Sequence, residues 1–200
     1  MIPILIIFIS FLLLGSFYKT RSFLSVWGGL TFLTGLLALG LRMKLLWLYP
    51  TRFFIRESLL ISGIIVGITT LLAVAIIIFW GKNNLPRLKL AYFWKLLATY
   101  LPLGFLEQLF FQFVFLETVY FLTKGNALLA VFLSTIFFGL FHLEKKIRKF
   151  YFLILAMEIF CASVYLLYGN LIWLVLSHAI LGTFIYVLFF DDNQLSRRLG

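Results

Sequence analysis

Glu107, His142 and His178 stand in otherwise apolar stretches of a 200-residue chain, 35 and 36 residues apart. One carboxylate and two neutral imidazoles can activate a water, around a bound metal or directly. The Glu serves as general base and the histidines donate hydrogen bonds to a developing oxyanion. Hydrolysis is the natural chemistry of such a trio. Two amides accompany the acid in Leu106-Glu-Gln-Leu-Phe-Phe-Gln-Phe. On an α-helix Gln108 and Gln112 are four residues apart, so their side chains can meet, with Glu107 about 100° around the same broad face. His142 closes Ser134-Thr-Ile-Phe-Phe-Gly-Leu-Phe-His one turn beyond Phe138, whose ring can pack on the imidazole and fix its orientation. His178 lies well inside Leu176-Ser-His-Ala-Ile-Leu-Gly182, where burial demands a polar partner.

Each of these residues also has a plainer reading. Gln108 and Gln112 can glue helices through interhelical hydrogen bonds, and His142 can be an interfacial histidine beside the basic run Lys145 to Lys149. The combination on three separate segments is more specific than any one member. An ionisable side chain inside a membrane costs at least about 2.5–3.5 kcal/mol, so each one needs a reason.

The elements that must position this trio are membrane spans. The chain is 64% hydrophobic, 20% aromatic and 12% charged, a balance in which a soluble domain cannot keep its surface wet. Apolar runs fall at 2–17, 22–41, 58–80, 93–121, 126–143, 150–168 and 171–190, close to the ~20 residues a crossing needs. The expectation is an all-α polytopic bundle of about seven spans in one membrane domain, 1–200, with the mixed segment 42–57 lying along the interface. The run 2–17 is followed by Lys19 and Arg21 rather than a small-residue cleavage site, and reads as a retained helix. Trp173 and Tyr168 suit a final span that starts in the headgroup belt.

The net charge of +10 does not point to nucleic acid, because the Lys and Arg residues cluster at the ends of apolar runs. With the N-terminus outside, twelve fall on the inner side: Lys19, Arg21, Lys82, Arg87, Lys89, Lys95, Lys145, Lys146, Arg148, Lys149, Arg197 and Arg198. Five fall outside: Arg42, Lys44, Arg52, Arg56 and Lys124. The C-terminus is expected in the cytoplasm, and the protein in a bacterial or archaeal inner membrane. The lone Cys161 excludes an intramolecular disulfide.

Over roughly 93–190 the sequence resembles the CPBP family (CAAX protease and bacteriocin-processing, also called Abi) of intramembrane proteases. That family carries Glu-Glu-x-x-x-Arg, then Phe-x-x-x-His ending the next span, then His-x-x-x-Asn or Asp. The corresponding residues are Glu107, Gln108 and Gln112, then Phe138 and His142, then His178 and Gly182. Gly139 and the Tyr168-Gly-Asn-Leu lead into the last motif also fit, whereas the three spans within 1–92 carry no signature.

The resemblance implies an intramembrane endopeptidase acting on a membrane-associated protein or peptide. Glu107 would activate water with His142 and His178, and Gln108, Gln112, Phe138 and Gly182 would support them. It leaves open a metal, which would be zinc held by Glu107, His142 and His178, or a metal-free glutamic mechanism, slightly favoured. Three departures stand out. Gln108 and Gln112 replace an acid and a base, a coupled change in which the two amides are expected to bond to each other, and Gly182 removes a side chain without compensation. Glu117 and Glu158 match no motif and are expected to be structural, Glu158 pairing with a basic residue at a span end or lining the substrate path. The alternatives are a weak or inactive family-derived scaffold or immunity protein binding a peptide, and, less favoured, a proton-coupled transporter, which lacks the matched broken helices such proteins use.

Overall fold

In hydrocarbon the backbone must satisfy its own polar groups, and only helices do so within one segment. The computed structural model describes Ile9, Leu12 and residues 56–87, 90–142 and 150–189, and among these every element is helical. Helix α1 runs Arg56–Gly81 and gives way to a 3-10 helix, Lys82–Arg87, where polar residues and Pro86 break the apolar run. A single long rod follows, made of α2, Leu90–Gln108, a π-helical stretch, Leu109–Leu116, and α3, Glu117–Leu122. It stops at Lys124 and Gly125, both at positive φ (55° and 84°).

Asn126 opens α4, Ala127–Phe141, its side chain accepting from the Leu129 N–H at 3.0 Å in the manner of an N-cap. Helix α5, Tyr151–Tyr168, ends on left-handed Gly169 (φ 68°), a conformation glycine adopts without strain. Asn170 Oδ1 then accepts from the Ile172 N–H at 2.9 Å and starts α6, Ile172–Phe189.

Four stretches are long and apolar enough to cross a membrane: Leu59–Asn84, Tyr92–Leu122, Tyr151–Tyr168 and Ile172–Phe189. The fifth, expected over 126–143, is the 15-residue α4. It is shorter than expected because Asn126 caps one end and His142 leaves helical geometry at the other (φ −106°, ψ 16°). The spans expected at 2–17 and 22–41 lie outside the described residues apart from Ile9 and Leu12, and the segment 42–57 does too apart from Arg56 and Glu57, which open α1.

Side-chain contacts fix the topology. Helix α6 runs parallel to α1, since Gly63 lies under Trp173, Thr70 bonds Ser177 at 2.7 Å and Gly81 lies under Phe189. It runs antiparallel to α2, where Phe93 meets Phe184, Tyr100 meets Gly182 and Gly104 meets His178. Helices α4 and α5 are antiparallel, Gly139 packing on Tyr151 and Leu155. Small residues at these crossings let backbones approach, the usual device of helices that pack in lipid. Leu71, Phe79, Leu128, Phe132 and Phe152 point outward and are exposed, a surface that only lipid covers comfortably.

The core nearest the site is aromatic. Phe115 of the π-helical stretch stacks on Phe137 of α4, centroids 4.0 Å apart and planes 9° apart, and Phe111 meets Phe138 and Phe141 edge-on at 4.7 and 5.2 Å. These contacts seat α4 against the rod and so place the residues that end α4.

Candidate active site

Glu107 lies near the midpoint of the 90–122 rod, between two irregularities: Pro102, which lacks an N–H, and the π-helical stretch that begins at Leu109. π-Turns inside helices are frequent at functional sites. The carboxylate is buried, 7% exposed, and its Oε2 lies 2.7 Å from His178 Nε2. That approach depends on Gly104, where an added Cβ would sit 3.3 Å from His178 Cδ2 and 3.4 Å from the Val175 carbonyl.

Both nitrogens of His178 are engaged. Glu107 contacts Nε2, and the Gln108 amide nitrogen lies 3.3 Å from Nδ1. A carboxylate only accepts, so in the neutral ring Nε2 carries the proton and Nδ1 accepts from the amide. His142 is held differently. Its Nδ1 donates to the Phe138 carbonyl at 3.0 Å, and its ring stacks on Phe138 at 4.2 Å with planes 25° apart. The contact expected from the Phe-x-x-x-His spacing is therefore present. With Nδ1 donating, Nε2 of the neutral ring is an acceptor, and His142 is close enough to Glu107 for the two to interact electrostatically.

The amides behave otherwise than the α-helical spacing suggests. Gln108 and Gln112 do not bond to each other. Gln108 turns to His178, while the Gln112 amide nitrogen lies 3.0 Å from each oxygen of Glu158. The winding changes at Leu109, from i→i+4 to i→i+5 closure, so the α-helical spacing no longer sets which way Gln112 points relative to Gln108. Glu158, expected to meet a basic side chain at a span end or line a path, instead sits 2% exposed against an amide, beside Ser134 and within electrostatic reach of Glu107. Glu117 opens α3, half-buried and outside this group.

Gly182 stands one turn beyond His178, and the room a side chain would need there is taken: an added Cβ would be 3.0 Å from Cδ1 and Cε1 of Tyr100. Tyr100 in turn packs on Tyr186 at 5.1 Å. Sequence reasoning missed Gly104, Tyr100 and Ser134. Gly104 had a signal, a glycine one turn before a buried acid in an apolar helix. Tyr100 and Ser134 had none, because their roles come from neighbours far along the chain.

Zinc requires three protein ligands and an open position. Among the described residues no group of three His, Cys, Asp or Glu side chains is arranged to hold a metal ion. His178 and Glu107 face each other at 2.7 Å.

No curated protein and no solved structure matches the chain. Residues 89–184 match the family model described as type II CAAX prenyl endopeptidase Rce1-like. That stretch holds Glu107, His142, His178 and the neighbours that orient them, and it is similar to the Rce1-like CAAX prenyl endopeptidases.

Proposed function

We propose that the protein is an intramembrane endopeptidase in which Glu107 activates water for attack on a peptide bond of a membrane-associated protein or peptide. The observation that carries this reading is the 2.7 Å contact between Glu107 and His178 in a buried position, within the Rce1-like stretch. In the reaction a water oxygen bonds to the substrate carbonyl carbon while its proton passes to Glu107. The oxyanion that forms takes a hydrogen bond from His178 Nε2–H as the ring turns from the carboxylate. His142, its ring fixed by Phe138, offers Nε2 as acceptor to the second water proton. The carbon–nitrogen bond then breaks, and Glu107 returns its proton to the leaving amine. A prenylated C-terminal peptide is the substrate class that the family description suggests, and an unmodified membrane peptide is the comparison.

The test uses the full-length protein in proteoliposomes with both peptides. Glu107→Ala and His142→Ala are each expected to lower cleavage by about 10²–10⁴-fold, the usual worth of a general base or acid. Cleavage by either variant at the wild-type rate rejects the assignment. Adding zinc, and separately a chelator, is expected to leave the rate unchanged in the metal-free reading, and a chelator-sensitive rate restored by zinc favours the metal reading.

A second reading, a peptide-binding scaffold with little or no catalysis, is favoured by one observation: Tyr100 fills the space beside Gly182 where the resembling family has an Asn or Asp. A cellular phenotype that survives Glu107→Ala would support it.

A further inference from the structure

A second buried polar cluster lies behind Glu107, and the chemistry above does not use it. Its members come from three elements: Gln112 on the π-helical stretch, Ser134 on α4 and Glu158 on α5. All three are enclosed, at 0%, 0% and 2% exposure. Gln112 spends its amide nitrogen on both oxygens of Glu158, and its Oε1 has no hydrogen-bond partner in the protein. Ser134 stands beside the Glu158 carboxyl, yet its Oγ makes no well-formed hydrogen bond. Gln108 Oε1, next to His178, is a third buried oxygen without a partner.

Buried polar atoms in native structures are almost always satisfied, and each one left over has a cause. Here the leftover atoms are all oxygens: two amide carbonyls, a hydroxyl, and Glu107 Oε2, which meets His178 Nε2 at 2.7 Å outside hydrogen-bond geometry, so what they need is a small donor. A water serves two to four such partners and is the common occupant of polar interior sites. Among the described residues, the buried core of the same helices, with Phe111, Phe115, Phe138 and Cys161, is apolar or weakly polar and offers no strong donor.

We propose that Gln112, Ser134 and Glu158 form a water-holding site adjoining Glu107, which keeps a hydrolytic water on hand at membrane depth. Glu158 is its positioning residue: it holds the Gln112 amide nitrogen and so leaves Oε1 for the water. The proposal rests on the hydrolytic reading for its purpose but not for its existence. A chain that hydrolyses a bond inside lipid must draw on water that the bilayer does not supply, and a site within electrostatic reach of the base meets that need.

Two measurements test it. A high-resolution structure of the wild-type protein in lipid is expected to show ordered water bonded to Gln112 Oε1 and Ser134 Oγ. Those oxygens packed dry against carbon would overturn the proposal whether or not the protein is a protease. In the cleavage assay, Ser134→Ala and Gln112→Met are each expected to lower kcat about tenfold, the rate equivalent of one net hydrogen bond. KM is expected to stay constant, and Ser134→Thr, which keeps the hydroxyl, to restore kcat. An unchanged kcat in both variants overturns the proposal, as does a joint fall in kcat and thermal stability that Thr does not rescue. Should the wild-type protein cleave nothing, the hydrolytic reading fails while the density still decides the water site.

Discussion

A side chain added at residue 182 would begin 3.0 Å from two ring carbons of Tyr100, closer than packed carbons sit at ease. The loss of the polar side chain that the resembling family carries there is thus matched by a tyrosine on the facing helix. Restoring the polar group alone is expected to fail. Gly182→Asn should destabilise the protein by about 1–3 kcal/mol, the range for overpacking a filled site, while Tyr100→Ala with Gly182→Asn should recover most of that loss. A double-mutant cycle on thermal unfolding reads the coupling directly, and additive effects would mean that the tyrosine is not what closes the site. The polar residues themselves were legible in the sequence, because an acid and two imidazoles are conspicuous in a chain that is 64% hydrophobic. The Phe138–His142 stack was legible too, being local. The partners of Gln112 and Tyr100 were not, since Glu158 and Gly182 lie 46 and 82 residues away and nothing in the local pattern marks them.

The reason two amides part company is a matter of one element. Had the rod kept α-helical winding past Gln108, Gln112 would lie about 40° round from it on the same broad face. The π-helical stretch Leu109–Leu116 sends them to different helices, Gln108 to α6 and Gln112 to α5. Nothing in its composition announces this winding: Leu-Phe-Phe-Gln-Phe-Val-Phe-Leu reads as an ordinary apolar helix. The aromatic packing of Phe111 and Phe115 against Phe137 and Phe138 is what holds it, a tertiary cause beyond the reach of local sequence. Deleting Phe113, on this stretch, should remove the extra residue and return the rod to α-helical register. Gln112 would then lose Glu158, and everything beyond it would rotate relative to Glu107. Cleavage should fall by about 10²-fold or more, as for a misplacement of about 1 Å at a reacting centre, with the protein still inserted in the membrane. Retained activity would show that the π-winding is incidental.

At the scale of the whole molecule the alternation of helices sorts the connections between two ends. The 3-10 helix at Lys82–Arg87, His142, Phe150 and the end of α6 lie at one end; the Thr123–Asn126 turn and the Gly169–Leu171 link lie at the other. Asn84 donating to the Leu188 carbonyl at 2.8 Å ties two members of the first end together. Lys82 and Arg87 stand at the first end and Lys124 at the second, and in the sequence the run Lys145 to Lys149 falls between His142 and Phe150, both of which are at the first. Cytoplasmic loops hold the excess of Lys and Arg, so the first end is expected inside. The prediction is checked with single cysteines in a Cys161→Ala background: Lys82→Cys should react with a membrane-impermeant maleimide only from the cytoplasmic side, and Lys124→Cys only from the outside. The opposite pattern would invert the orientation without altering the site, since neither lysine touches it. It would also move His142, which closes the short α4 toward the first end, to the outer half of the bilayer. With 15 residues at 1.5 Å each, α4 spans about 22 Å of a core about 30 Å thick. Local thinning of the membrane, snorkelling of flanking side chains or association with a partner meets that mismatch, and labelling from one side only decides at which leaflet it falls near His142.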